Sequence, residues 1–169
     1  MVIVAVLYSS IEMAKIDTWY SDLIDKDVRA LQNLTVARVL SNRFGLFLYK
    51  EVAELDADRM QVIDANLDAT TVEFHSAVEE AKRNNPSLVP AINTAAALFD
   101  QAVSDSRPVR AATLSQNNDK ALKLMRASVD LELAKAREAF AGLADELHAR
   151  VDKQSGELTA RAHRSILIT

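Results

Sequence analysis

Residues 121–158, ALKLMRASVDLELAKAREAFAGLADELHARVDKQSGEL, decide the fold, because their apolar members fall on one helical stripe. Leu122, Met125, Val129, Leu133, Ala136, Phe140, Leu143, Leu147, Val151 and Leu158 follow one another at steps of three, four or seven residues. At 3.6 residues per turn such steps line one face of a helix, and the Asp, Glu, Lys and Arg between them take the other. No proline interrupts the stretch, and Ala, Leu, Glu, Lys and Arg are all strong helix formers.

Moving outward, three polar breaks separate this helix from three others. Residues 115–119 (SQNND) collect side chains that compete with helical hydrogen bonds and favour caps and turns. In residues 84–87 (NNPS), Pro86 disfavours helical geometry at Asn85, while Pro90 is tolerated in a new first turn. Residues 55–58 (LDAD) offer Asp56 or Asp58 as a cap for the helix that follows. The first helix then shows Ile16, Tyr20, Leu23, Ala30, Leu34, Ala37, Phe44, Leu48 and Leu55, with Asp27, Ser41 and Glu51 as the polar members of its frame. The second gives Met60, Ile63, Leu67, Thr70, Phe74, Ala77 and Ala81. The third gives Leu88, Ile92, Ala95, Phe99, Ala102, Val109 and Thr113, with a kink expected at Pro108.

Composition agrees with an all-α chain. Of 169 residues only 3 are Gly and 3 Pro, which leaves little material for turns, and 49% hydrophobic with 26% charged residues suits one packed domain. A net charge of -4 without a basic block gives no reason to expect nucleic acid. The absence of cysteine excludes disulfides and thiolate catalysis.

Lengths set the expected architecture. The middle helices, of about 26 residues, would span roughly 40 Å, and the outer two, near 50 residues, roughly 75 Å. Short connections make neighbours antiparallel, so an up-down-up-down four-helix bundle with long first and fourth helices is expected, both projecting from one end. That end carries apolar tips, residues 1–7 (MVIVAVL) and Ile166 to Ile168. Neither approaches the roughly 20 apolar residues of a membrane span, so they read as stubs of two spans, about 1–11 and 165–169, on a single domain over 1–169.

With IDTWYSDLIDKDVRALQNLTVARVLSNRF (16–44), LSQNNDKALKLM (114–125) and the final helix running into RSILIT (164–169), the chain resembles the four-helix-bundle ligand-binding domains of bacterial methyl-accepting chemoreceptors and sensor histidine kinases. The likeness lies in hydrophobic spacing and topology over nearly the whole chain and includes no catalytic signature. It implies an inner-membrane homodimer with the bundle in the periplasm. It also implies that a ligand shifts the last helix relative to the first. The competing expectation, from a different class, is a helical adaptor that binds a partner helix; a third, a bundle lying on a lipid surface, lacks the basic face it would need.

No catalytic, metal or cofactor site is expected. Glu73 with His75, and Glu146 with His148, stand two residues apart and so on different helix faces, unlike the Glu-x-x-His ligands of di-iron bundles. Gly45, Gly142 and Gly156 are isolated and form no phosphate loop. Arg107, Arg110 and Arg126 fall within about two to three turns of the end remote from the apolar tips, with Arg43 deeper. Their guanidinium groups suit a small anionic metabolite, met directly or on a periplasmic binding protein, unless they pair with Glu51, Glu54, Asp119 or solvent. Ile16, Trp19, Leu23, Leu147 and Val151 are the expected seam of a parallel homodimer.

Overall fold

In the computed structural model residues 2–167 are described, with side chains for residue 11 and residues 13–164. The described residues form four helical runs joined by short connections, with no strand among them. The first run comprises Val2–Asp22, a π-helical turn at Leu23–Val28, and Arg29–Ala53. The second is Ala57–Asn84. A single 3-10 turn, Pro86–Leu88, leads into the third, Val89–Leu114. The fourth comprises Asn118–Leu124, a second π-helical turn at Met125–Val129, and Asp130–Leu167.

Each break is made by the residues that foretold it. Asp56 caps the second run, its Oδ1 accepting the Arg59 N–H at 3.0 Å, while Glu54 Oε1 accepts from the N–H groups of Leu55 and Asp56. Asn85, held before Pro86 at φ -134°, leaves the helix. At the third break Gln116 takes a left-handed φ of 56°. Its N–H reaches the Thr113 carbonyl and the Asn117 N–H reaches the Ala112 carbonyl, which is the Schellman closure of a helix end. Asn117 then caps the fourth run through Lys120 N–H. Pro108 lies inside the third run, which continues through it to Leu114, so the ring costs a ladder bond without ending the helix.

Phe44, Phe74, Phe99 and Phe140, one from each run, are fully buried and meet at the centre. Phe74 stacks on Phe99 at 3.8 Å between centroids, Phe44 meets Phe99 edge-on at 5.3 Å, and Phe140 meets Phe74 edge-on at 5.5 Å. Rings in these arrangements add about 0.5–1.5 kcal/mol per pair beyond their burial. One continuous core of Leu, Ala, Val, Ile and Met extends from them along all four runs.

Polar pairs fix the register. Asp27 and Arg43 of the first run meet Asn85 and Glu73 of the second. Tyr49, Asn42 and Tyr20 of the first meet Asp130, Arg137 and Ser155 of the fourth. Residues 2–22 pack on the fourth run and on neither middle run. No helix among the described residues is long and apolar enough to cross a membrane. The expected stubs at 1–11 and 165–169 lie, but for Ile11, outside the residues whose side chains are described.

Candidate functional site

Where the middle runs have ended, the first and fourth runs enclose a cleft of about 340 Å³. The first run supplies Trp19, Asp22, Leu23, Lys26 and Asp27, and the fourth supplies Gln154, Glu157, Leu158 and Arg161. The π-helical turn at Leu23–Val28 shapes the near wall. There the Arg29 N–H reaches back five residues to the Ile24 carbonyl, which widens the turn by one residue. Leu23 and Asp27, four apart, are both buried on that turn.

The buried part of the cleft's lining is two leucines and one carboxylate, and its other residues are exposed. Leu23 and Leu158 are each 7% exposed. Asp27 is buried, and its Oδ1 accepts a 2.6 Å hydrogen bond from Asn85 Nδ2, whose own oxygen accepts from Ser87. Lys26 pairs with Asp22 at 3.1 Å. The Arg161 guanidinium lies over the Trp19 ring, 4.8 Å from its centroid, a cation–π contact. Glu157 and Gln154 make no hydrogen bond or ion pair among the described residues.

Two of the four expected anion ligands have acidic partners. Arg43 donates to Glu73 at 3.0 Å in the groove between the first and second runs. Arg110 is held by Asp64 through Nε at 2.5 Å and by Asp68 through Nη1 at 2.9 Å. Arg107 and Arg126 are exposed. Two of the four guanidinium groups are thus paired with carboxylates of the second run, Glu73, Asp64 and Asp68, and not with the expected alternatives Glu51, Glu54 or Asp119.

The expected dimer seam is largely covered within one chain. Ile16, Leu23 and Leu147 are buried, Val151 is half-buried, and Trp19 retains 40% of its surface. Residues 2–22 lie directly on the fourth run, which buries part of this row within one chain and leaves Trp19 and Val151 partly open.

At the opposite end of the first run, Glu51 is fully buried and neither carboxylate oxygen has a hydrogen-bond partner. Burial pushes its carboxyl up to about 7, with Asp64 and Asp68 adding to the rise and Arg110 opposing it. His75 and His148 are exposed beside Asp100 and Asp152, and no group of three potential metal ligands occurs among the described residues. Asp27, Ser41 and Glu51 stood out in the sequence as polar members of an apolar frame, the signal that marks them as buried. The role of the π-helical turn in opening a cleft at Asp27 had no such signal. No family model, curated protein or solved structure matches this chain.

Proposed function

We propose that this chain is the extracytoplasmic sensor domain of a bacterial transmembrane receptor, a sensor histidine kinase or methyl-accepting chemoreceptor. In this reading it is an antiparallel up-down-up-down bundle whose long first and fourth helices lead toward two spans of the inner membrane. The domain faces the periplasm, acts as a homodimer and is not itself an enzyme. One observation carries the reading: residues 2–22 pack on the fourth run beyond the reach of both middle runs, so two helices leave one end of the core together. Such a pair couples the core to whatever lies past that end, and a ligand with different affinity for two arrangements of the pair shifts their populations. The register pairs support the antiparallel sense, since residue numbers rise along the first run as their partners fall along the second and fourth.

The reading is tested by placing residues 11–164 between the membrane spans of a receptor of known output. Output that changes when the first and fourth helices are tied by a disulfide, as in a Tyr20→Cys, Ser155→Cys pair, supports it. Output indifferent to oxidation and reduction of that pair removes it.

A further inference from the structure

We propose that the cleft between the π-helical turn of the first run and the end of the fourth binds a small organic cation, an ammonium compound with a short apolar body. Its volume, about 340 Å³, lies at the small end of the range found for small-molecule sites, roughly 300–1,000 Å³. Six of its nine lining residues are polar and three, Trp19, Leu23 and Leu158, are apolar, a more polar lining than most small-molecule sites have and one suited to a charged ligand.

Charge selects the class of ligand. Three carboxylates, from Asp22, Asp27 and Glu157, line the cleft with two cations, from Lys26 and Arg161. Lys26 neutralises Asp22 on its own helix, one turn away. Arg161 is placed over Trp19 rather than on a carboxylate, so Asp27 and Glu157 have no ion-pair partner, and with three carboxylates against two cations the lining keeps an excess of one negative charge. Asn85 occupies one acceptor position of Asp27, and an ionised carboxylate has about four. Asp27 is only 8% exposed, so what it meets in the cleft is little screened by water. An ammonium group between Asp27 on the first run and Glu157 on the fourth satisfies both, and its apolar part lies against Trp19 and the two leucines. An anion between Asp27 and Glu157 would be repelled by both carboxylates, so that position favours a cation.

The inference stands on the geometry of the cleft and goes beyond the sensor reading. Added to that reading, a cation held by both runs is a natural input, because it bridges the two helices that leave the core together.

Trp19 is the single tryptophan, so its emission reports occupancy of the cleft directly. The chain is titrated with phenethylammonium, butylammonium and tetramethylammonium, and with acetate and citrate as anionic controls, at fixed ionic strength. We expect a saturable change in Trp19 emission with at least one of the cations and none with the anions. Glu157→Gln and Asp27→Asn should each weaken that binding by about tenfold or more, the loss of one charge-assisted contact. Glu157 is exposed and makes no hydrogen bond or ion pair among the described residues, so its variant reports on binding with little disturbance of the fold. No saturable change with any of the three cations overturns the proposal, as does binding of equal strength in both variants. Intact cation binding in a domain whose chimera gives no output would remove the sensor reading and leave the cleft, whereas the converse removes only the cleft.

Discussion

Asn85 Nδ2 donates a 2.6 Å hydrogen bond to Asp27 Oδ1, and the two residues are 6% and 8% exposed. The bond ties the π-helical turn of the first run to the break that ends the second, 58 residues away in sequence. Asn85→Ala leaves a buried carboxylate short of a donor and should lower unfolding free energy by about 1–3 kcal/mol. Urea unfolding monitored by circular dichroism measures the loss; a change below a few tenths would show that water replaces Asn85.

Glu51 gives stability a defined pH dependence. Its carboxyl lies at about 7 in the folded chain against an ordinary 4.5, so the folded state binds the proton more tightly than the unfolded state does. That contribution is complete below about pH 4.5 and is lost as pH rises through about 7, amounting to roughly 3 kcal/mol. Glu51→Met removes the group. The stability of the wild type relative to this variant should therefore fall between pH 4.5 and 8. Parallel profiles for the two proteins would contradict the assignment.

Arg110 bridges Asp64 and Asp68 and partly offsets the field these acids exert on Glu51. Arg110→Met should destabilise the chain by about 1–3 kcal/mol at pH 8, since it strips a partly buried ion pair of one partner. The loss should be smaller at pH 5, where Glu51 is protonated. An equal loss at both values, in denaturant titrations, would separate Arg110 from Glu51.

Gln116 occupies a left-handed conformation that glycine adopts without strain, whereas Gly142 and Gly156 sit inside the fourth run with open space where a Cβ would lie. Gln116→Gly should stabilise by up to about 1 kcal/mol, and Gly142→Ala and Gly156→Ala by about 0.5–1 kcal/mol each. Gly45 differs: a Cβ there would stand 3.1 Å from Leu133 Cδ1, so Gly45→Val should destabilise. Thermal unfolding of the four variants checks the signs together.

The helices were legible in the sequence because every one carries an apolar stripe with a buried phenylalanine, and the three breaks between them fall at residues with a local reason to stop or start a helix. Asp56 and the pair Asn85-Pro86 stop and start helices by local rules that need no knowledge of the rest of the chain. The site was less legible. Asp27 and Glu51 broke the apolar frame of the first helix, but frame alone does not say whether a buried carboxylate has a partner, and only the fold shows that Asp27 has Asn85 while Glu51 has none. The arginines show the same gap between position and partner. Arg43 and Arg110 look available along their own helices, and the acids that hold them, Glu73, Asp64 and Asp68, come from another. The π-helical turns at Leu23–Val28 and Met125–Val129 depend on how neighbouring helices pack and leave no mark in the spacing of apolar residues.

The sensor reading requires the core to lie outside the inner membrane, and one labelling experiment decides this. The chain contains no cysteine, so Leu55→Cys and Leu114→Cys each place a thiol at an exposed position by a connection remote from the cleft. Each variant is made in the full-length protein with any other cysteines removed, and cells with a permeabilised outer membrane are treated with a membrane-impermeant maleimide. The account predicts that both positions are labelled in intact spheroplasts as fully as after lysis. Labelling that occurs only after the inner membrane is broken would contradict it.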